Sequence, residues 1–210
     1  MKTKSIITLV AIAVFGMLAF SSFKSENNNA AAEGYAIGDL ATDFKLLNVD
    51  GKMVSLSDYK SAKGFIVIFT CNTCPYAVAS EDRIIALDQE FKDKGFPVIA
   101  INPNNPSVQP DDTYELMKEK AKDKGFTFPY LFDAKDKVYA KYGASKTPHV
   151  YLLQKEEAGN VVKYIGAIDD NVRSASLAKE RFLANAINEL LDGKPVSLKE
   201  TKAIGCSIKV

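Results

Sequence analysis

The chain carries almost no excess charge and has few of the side chains that bind metals or act in acid–base catalysis. Its 210 residues include 27 Lys and Arg against 26 Asp and Glu, and residues 34–210 hold 24 of each sign. This balance gives no indication of nucleic acid or an anionic membrane surface as a partner. His149 is the only histidine, so a Ser-His-Asp triad is excluded unless His149 belongs to it. Three cysteines and one histidine permit at most one four-ligand Cys/His metal site.

The sequence also lacks an apolar run of the roughly 20 residues that a transmembrane helix needs. Its most apolar segment, Ile6–Phe20, has 15 residues, follows Lys2 and Lys4, and precedes Ser21. This order of basic, apolar and small residues predicts an export signal peptide over residues 1–22, with an uncleaved anchor as the alternative. We therefore expect a periplasmic or otherwise exported protein that contacts a membrane only if this segment is uncleaved. Export places the cysteines in a compartment that permits disulfides.

Composition divides the rest of the chain into two parts. Residues 23–36 are interpreted as a polar tether, because Lys24–Glu33 offers no residue suited to a core. Residues 37–210 are long enough for one domain with a substantial core. The whole chain is 47% hydrophobic and 25% charged, as ordinary globular proteins are.

One stretch, Gly64–Pro75, combines an apolar run with two cysteines. Phe65–Phe69 is short, apolar and rich in β-branched and aromatic residues, which predicts a strand buried on both faces. Cys71-Asn-Thr-Cys74 follows, and apolar residues then recur at helical spacing within Ala77–Lys94. A Cys-x-x-Cys pair between a strand and a helix favours a redox-active dithiol. Inert core thiols, half of a zinc site and a purely structural disulfide are the alternatives.

The predicted helix gives the two cysteines different surroundings. Cys71 falls at its start, where unpaired N–H groups and the positive end of the helix dipole stabilise a thiolate. We therefore predict that Cys71 is the more exposed, attacking cysteine, with a pKa below the roughly 8.5 of a free thiol. Cys74 lies one turn further in, before Pro75, and is predicted to be more shielded.

The remaining pattern alternates apolar strands with amphipathic helices. Asp50-Gly51 between two short apolar runs predicts a hairpin. Further strands are predicted at Phe96–Ile101, Tyr130–Phe132, Val150–Leu153 and Val161–Ile168, and helices at Thr113–Lys124 (capped by Asp111 or Asp112), Lys137–Tyr142 and Ser176–Leu191. Strand–helix–strand units followed by a hairpin and a last helix predict an α/β fold with a mixed sheet between helices.

Together these residues resemble the thioredoxin superfamily. The closest resemblance is to a peroxiredoxin-like (alkyl hydroperoxide reductase / thiol-specific antioxidant) subgroup that carries a thioredoxin-style Cys-x-x-Cys. The segments that carry it are Gly38-x-x-Ala41-x-x-Phe44, Phe69–Tyr76, Thr147-Pro148, Ile168–Arg173, Gly193–Val196 and Glu200–Lys209. The resemblance implies a thioredoxin-like domain over residues 37–210, in which a central mixed β-sheet is flanked by helices and extended by an N-terminal hairpin.

The resemblance also implies roles for individual residues. Cys71 matches the nucleophilic cysteine of thioredoxins and Cys74 the resolving one. Pro148 matches the cis-proline that faces the dithiol, and Thr147 matches the residue whose main chain pairs with an incoming peptide. In the oxidised protein we expect a disulfide between Cys71 and Cys74, with Cys206 outside it.

Other residues near these motifs have more than one interpretation. Asn72 and Thr73, between the cysteines, are expected to help set the redox potential. His149 is either a satisfied or surface histidine on a strand or a residue that touches substrate. Cys206 is either an unpaired structural thiol or a redox partner of the central pair.

The chain departs from the thioredoxin pattern at two positions. Thr70 stands where thioredoxins have Trp, and Phe65 stands where they have a buried acid, which leaves Cys74 without an obvious base. If Cys74 is aligned with the peroxidatic cysteine of peroxiredoxins, Cys71 occupies the position of their threonine.

Four functions are compatible with these residues. A thiol–disulfide oxidoreductase would act on a disulfide- or dithiol-bearing protein and exchange electrons with a thiol-redox donor or acceptor. A thiol peroxidase would oxidise Cys74 to a sulfenic acid. A Cu(I) carrier would bind the ion with Cys71, Cys74 and His149, and a redox-inactive binding module is the fourth. We favour the oxidoreductase, which needs no cofactor and no resident metal.

Overall fold

The computed structural model describes residues 34–133 and 135–210 of the chain. The predicted signal peptide, residues 1–22, and the predicted tether as far as residue 33 lie outside the described residues. Within the described part, no helix is long and apolar enough to cross a membrane.

Ten strands and five α-helices are formed by the described residues. The strands are β1 (Leu40–Ala41), β2 (Lys45–Asn48), β3 (Met53–Ser55), β4 (Gly64–Phe69), β5 (Val98–Asn102), β6 (Tyr130–Phe132), β7 (Lys146–Thr147), β8 (His149–Glu156), β9 (Gly159–Gly166) and β10 (Cys206–Ser207). The helices are α1 (Pro75–Val78), α2 (Glu81–Phe91), α3 (Tyr114–Lys124), α4 (Val138–Tyr142) and α5 (Phe182–Leu191).

Eight of these strands form one mixed sheet in the order β1-β9-β8-β4-β5-β6-β2-β3. Strands β4, β5 and β6 run parallel, and β8 and β9 form an antiparallel hairpin beside β4. The two short strands β7 and β10 pair with each other in a separate antiparallel sheet. The predicted α/β fold with a central mixed sheet between helices is confirmed.

The strand β4 lies in the middle of the sheet, between β8 and β5, and all six of its residues are buried. Its side chains alternate between two cores, since successive residues of a strand point to opposite faces. Ile66 and Ile68 pack with residues of α2, α3 and α5 on one face. Phe65, Val67 and Phe69 pack with α4 and the β2–β3 hairpin on the other face. An uninterrupted apolar run is therefore what a strand covered on both sides requires.

Most predicted elements are present with shifted ends. The Asp50-Gly51 hairpin joins β2 and β3, and this pair extends the sheet edge as predicted. The last helix begins at Phe182 rather than Ser176, because residues 175–177 form a separate short 3-10 helix. Helix α3 is capped by Thr113, whose side chain accepts from the main-chain N–H of Leu116, and not by Asp111 or Asp112.

The single helix predicted over Ala77–Lys94 is wrong in detail. The chain forms α1 and α2 with a break at Ala79 and Ser80. At the break the Ser80 hydroxyl donates to the Tyr76 carbonyl at 2.8 Å, and the Arg83 guanidinium donates to the Ala79 carbonyl at 2.9 Å. These side chains satisfy carbonyls that a continuous helix would use itself.

Two described residues that precede the predicted domain boundary at residue 37 pack against the domain. Gly34 lies against Gly143, and the ring of Tyr35 packs edge-on against Tyr142 with 4.9 Å between the centroids. The main-chain N–H of Thr42 donates to the Tyr35 hydroxyl at 2.9 Å. Gly34 and Tyr35, which the sequence placed in the predicted tether, therefore contact residues of the predicted domain.

A buried ion-pair cluster fixes α2 against α3. The Glu81 carboxylate is 4% exposed and contacts Lys120 at 2.6 Å and Lys124 at 3.1 Å. Since α2 is joined to the cysteine segment through α1, this cluster also anchors the polypeptide that leads from the cysteines.

We predict that Glu81→Gln lowers the free energy of unfolding by about 1–3 kcal/mol, because it leaves a buried polar group and two lysines without their charged partner. The control is Glu156→Gln, which breaks the more exposed pair with Lys163 and should cost less than about 1 kcal/mol. Urea unfolding of both variants measures the difference. Equal losses would contradict the role assigned to Glu81.

Candidate active site

The two cysteines of the central motif lie in the loop that leaves β4. Both are buried, with Cys71 4% and Cys74 6% exposed. Helix α1 starts at Pro75 with Cys74 as its N-cap, so Cys71 precedes the helix instead of lying in its first turn. The prediction of an exposed Cys71 at a helix N-terminus is therefore wrong.

Thr147 brings the two cysteine sulfurs to one place. It is fully buried, and its Oγ1 lies 3.2 Å from Cys71 Sγ. Its carbonyl oxygen lies 3.2 Å from Cys74 Sγ, a contact that becomes a hydrogen bond when Cys74 is a thiol. The peptide bond between Thr147 and Pro148 is cis, as the resemblance predicted. The segments around residues 71–74 and 147–148 thus meet in the fold, as expected.

The expected disulfide between Cys71 and Cys74 is wrong. Cys74 is bonded to Cys206, with 6.0 Å between their Cα atoms, and Cys71 is a free thiol. The partners are 132 residues apart in sequence. Cys206 reaches Cys74 because β10 pairs with β7, which sets Cys206 opposite Thr147. Cys206 is therefore a member of the central cysteine cluster and not an isolated structural thiol.

A buried carboxylate that the sequence did not reveal supports the loop from behind. Asp112 is fully buried and accepts from the main-chain N–H of Asn72 at 2.7 Å. It also accepts from the side-chain amides of Asn102 at 2.9 Å and Asn104 at 2.7 Å. These donors satisfy a charge that would otherwise be costly to bury. The only sequence signal was the group of Asn and Asp residues after β5, which resembles an ordinary loop.

Asn72 and Thr73, predicted to tune the potential, lie in different surroundings. The Asn72 side chain is buried, donates to the Asp111 carbonyl at 2.8 Å and accepts from the Tyr130 hydroxyl at 2.9 Å. Thr73 is exposed, and its hydroxyl lies 3.3 Å from the side-chain nitrogen of Gln109. Asn72 therefore fixes the loop between the cysteines, whereas Thr73 faces solvent.

The pKa of Cys71 is shifted in the direction opposite to the one predicted. Burial raises the pKa of this thiol, the hydrogen bond with Thr147 lowers it, and the nearby Asp112 raises it again, with the net effect upward. Low dielectric surroundings and a neighbouring negative charge both disfavour a thiolate. In the bridged form Cys71 is accordingly held as a neutral thiol at pH 7.

His149 lies beside the site but does not join the cysteines. It opens β8, paired with Phe69 of β4, and its Nδ1 accepts from the main-chain N–H of Ser145 at 3.4 Å. Burial lowers the pKa of His149 to about 4, so the ring is neutral at pH 7. Residues 34–133 and 135–210 contain no group of three His, Cys, Asp or Glu side chains placed to hold a metal ion.

A shallow cavity of about 210 Å³ opens beside the cysteines. Its lining includes all three cysteines together with Asn104, Gln109 and Lys209. The cavity gives small reagents a path to the sulfurs, although the cysteines themselves are nearly covered.

The sheet, the loop and the Thr-Pro segment define the class of protein. A parallel strand pair, a Cys-x-x-Cys loop after the central strand and a Thr-Pro beside that loop are the features of a thioredoxin-like fold. Residues 37–165 match the model of the AhpC/TSA family, and the chain belongs to this family. The predicted peroxiredoxin-like branch of the thioredoxin superfamily is thereby confirmed.

Individual relatives agree with this assignment. The chain is 26% identical over 162 residues to the thiol-disulfide oxidoreductase ResA of Geobacillus thermodenitrificans, covering 77% of this chain and 84% of that protein. It is 34% identical, with a TM-score of 0.77, to the crystal structure of an uncharacterized conserved protein from Geobacillus kaustophilus, covering 84% and 93% of the two chains. A hypothetical protein from Sinorhizobium meliloti 1021 is 31% identical with a TM-score of 0.77, covering 84% and 95%.

We predict that Asp112→Asn lowers the pKa of Cys71, because it removes a negative charge that disfavours the thiolate. The variant should also lose about 1–3 kcal/mol of stability, since an amide cannot accept from three donors as the carboxylate does. In the oxidised protein, the alkylation rate of Cys71 should rise with a midpoint above pH 8.5, roughly the value of a free thiol, and this midpoint should fall in the variant.

The matched control for this test is Asp111→Asn. Asp111 is exposed and adjacent, and its carboxylate contacts only the Gln109 side chain among the hydrogen bonds of the described residues. The pH midpoint of Cys71 alkylation in this variant should stay at the wild-type value. A midpoint in Asp112→Asn that equals that of wild type would remove Asp112 as a cause of the raised pKa.

Proposed function

We propose that this protein is an exported thiol–disulfide oxidoreductase that uses three cysteines in place of two. The observation that carries the proposal is the bridge between Cys74 and Cys206 beside a free Cys71, with the Cys71 and Cys74 sulfurs both at Thr147. A relative named as a thiol-disulfide oxidoreductase over 84% of its length supports the same reaction.

In the reductive direction, Cys71 acts first. Its thiolate attacks a disulfide of the partner protein, so that a mixed disulfide forms and one partner sulfur leaves as a thiolate. Cys74 then attacks Cys71 Sγ and releases the second partner sulfur. The partner disulfide has then gained two electrons, and Cys71 and Cys74 have lost them in forming their own disulfide.

Cys206 completes the cycle by a further exchange. Its thiolate attacks Cys74 Sγ, the new bond is the Cys74–Cys206 bridge, and Cys71 leaves as a thiolate that takes up a proton. No oxidant is consumed, because one disulfide replaces another. The result is the state in the structure, in which Cys71 is free and Cys74 is bonded to Cys206. Oxidation of a partner dithiol follows the same steps in reverse.

The remaining site residues are proposed to bind the partner. The main chain of Thr147 pairs with an extended segment of the partner, and Pro148 lies against it, as the family resemblance implies. Asn72 holds the loop through its bonds to Asp112, Asp111 and Tyr130. Thr73 is exposed, and its proposed role is to contact the partner or to help set the redox potential.

A thiol peroxidase is a second candidate, and the bridge itself favours it. If Cys74 is the peroxidatic cysteine, Cys206 is placed to resolve it. Cys74 thiolate would attack a peroxide oxygen, giving a sulfenic acid and an alcohol or water. Condensation of the sulfenic acid with the Cys206 thiol would then give the same disulfide and release water. The copper carrier has no comparable support, since bridging removes Cys74 as a thiolate ligand.

Single cysteine variants separate the two candidates. We expect Cys71→Ser to lose at least about 100-fold in the reduction of insulin disulfides by dithiothreitol, because the attacking sulfur is gone. Cys74→Ser should accumulate a mixed disulfide through Cys71, detected by intact mass. Cys206→Ser should still exchange disulfides and should form the Cys71–Cys74 bond instead.

The peroxide arm uses the Cys71→Ser/Cys206→Ser protein with hydrogen peroxide and a dimedone-type trap, because Cys206 would otherwise condense with a Cys74 sulfenic acid before the trap reacts. An oxidoreductase gives slow labelling of Cys74. Rapid labelling of Cys74 in this double variant, together with unimpaired peroxide consumption by the single Cys71→Ser variant, would replace the oxidoreductase assignment by the peroxidase.

Export is tested separately by the intact mass of the protein recovered from an exporting host. Because Lys2 and Lys4 precede the apolar segment Ile6–Phe20, the mature protein should lack residues 1–18 at least. Recovery of the full-length protein from the cytoplasm would contradict the export assignment, without bearing on the cysteine chemistry.

A further inference from the structure

We infer that the C-terminal segment, residues 204–209, is a built-in competitor of the partner protein, locked into the partner's place by the Cys74–Cys206 bridge and released when the bridge is reduced. We call this segment the tail. The inference rests on the proposed function in one respect, namely that partners pair with the main chain of Thr147. It adds that oxidation closes the binding site and reduction opens it.

The tail lies where an extended partner segment would lie. Strand β10 runs antiparallel to β7, with Cys206 opposite Thr147 and Ser207 opposite Lys146. The main-chain N–H of Ile208 donates to the Ser145 carbonyl at 3.3 Å. A strand edge has one set of main-chain donors and acceptors on that side. A second strand therefore cannot pair with Thr147 while the tail does.

The fit of the tail is close at the position before its cysteine. Gly205 approaches the main chain of Thr147 and Pro148 so nearly that a Cβ at residue 205 would overlap the Thr147 carbonyl. Glycine allows this approach because it has no side chain. The partner class that fits the same place is accordingly an extended segment with a small residue before its reacting cysteine.

Contacts beyond the strand pair tie the tail to the polar network behind the cysteines. The main-chain N–H of Lys209 donates to Asn104 Oδ1 at 2.8 Å, and its carbonyl accepts from the Asn105 N–H at 2.7 Å. Asn104 in turn donates to Asp112. The position of the tail is thus coupled to the residue that holds the loop between the cysteines.

Without the bridge, the tail is held by its short strand pairing, by the main-chain hydrogen bonds of Ile208 and Lys209, and by a hydrogen bond from Lys146 Nζ to the Ser207 hydroxyl at 3.1 Å. Its strand is two residues long, Ile204 is 47% exposed, and Ser207 and Lys209 are exposed. Of its side chains, Ile208 alone packs against a large apolar core, and only in part. Few buried contacts and short strand pairing characterise segments that open locally, so the covalent bond is the principal constraint.

Reduction of the Cys74–Cys206 bridge, which releases the tail, requires a dithiol donor. One donor sulfur attacks a sulfur of the bridge, the bond between Cys74 and Cys206 breaks, and the second donor sulfur closes a donor disulfide. Two electrons and two protons pass to Cys74 and Cys206, which become thiols. The tail then leaves Thr147, and the buried Cys71 becomes accessible to a partner disulfide. After the partner has been reduced, return of Cys206 to Cys74 restores the closed state and displaces the product.

The test compares the bridged protein with proteins that have no bridge and uses no turnover assay. Iodoacetamide should alkylate Cys71 at least about tenfold faster in the full-length Cys74→Ala/Cys206→Ala variant than in oxidised wild type. Hydrogen exchange of peptides covering residues 204–209 should accelerate by a similar factor when wild type is reduced with dithiothreitol, which requires no substitution.

A peptide probe tests occupancy of the strand directly. The peptide Ala-Ile-Gly-Ser-Ser-Ile-Lys, which is residues 203–209 with serine in place of the cysteine, should bind the unbridged variant with an affinity at least about tenfold higher than oxidised wild type. Leu198→Ala is the control, since Leu198 is 46% exposed and lies outside the tail. In this control, the rate of Cys71 alkylation, the hydrogen exchange of residues 204–209 and the affinity for the peptide should equal those of wild type.

The outcomes separate this inference from the proposed function. Unchanged alkylation of Cys71, protected tail amides after reduction and equal peptide affinity would overturn the inference, whatever the insulin assay shows. Opening of the tail in a protein whose Cys71→Ser variant keeps full exchange activity would instead overturn the proposed function and leave the inference standing.

Discussion

The contacts of Thr147 are the constraint on which the site depends. This fully buried residue meets Cys71 through its hydroxyl, Cys74 through its carbonyl and Cys206 through strand pairing. The three cysteines come from the loop after β4 and from the end of the chain, and nothing local holds them together. Thr147 can do so because it immediately precedes Pro148 and β8, which pairs along its length with the buried strand β4.

A buried polar network supports that arrangement. Asp112 has three hydrogen-bond donors, from Asn72, Asn102 and Asn104, and these compensate for removing the carboxylate from water. Thioredoxins place a buried acid where this chain has Phe65, whereas here a buried acid is supplied by the loop between β5 and α3. One of its hydrogen bonds holds the loop that separates the cysteines, through the Asn72 main-chain N–H, and its charge raises the pKa of Cys71.

Burial and reactivity are opposed at Cys71. A thiol that is nearly covered and close to a carboxylate is a poor nucleophile, because its pKa is raised. In the bridged state Cys71 is therefore a weakly reactive thiol, while the other two cysteines are already oxidised. Exposure of Cys71 on release of the tail would remove the largest cause of the raised pKa. Access and reactivity would then change together, through one covalent bond.

Much of the architecture was readable from local sequence, because it depends on local patterns. The uninterrupted apolar run of β4, the Asp-Gly hairpin and the alternation of strands and helices each report burial or turn geometry within a few residues. The cysteine spacing and the Thr-Pro motif identified the superfamily and predicted that these two segments meet, which they do. The break between α1 and α2 was missed, because it depends on side chains that reach back to satisfy carbonyls. The helix start and the burial of Cys71 were also predicted wrongly.

By itself, then, the sequence determined the fold class and the family, and it predicted that the segments around Cys71, Cys74 and Thr147 meet. The tertiary structure alone decided which sulfurs are bonded and which carboxylate lies behind them. Spacing along the chain limits distances only between near neighbours, so it pointed to Cys71 as the partner of Cys74. The partner in the structure, Cys206, is 132 residues away and is brought there by pairing of β10 with β7. Asp112 was hidden for the same reason, because its burial is a property of the packed loop and not of its residue type.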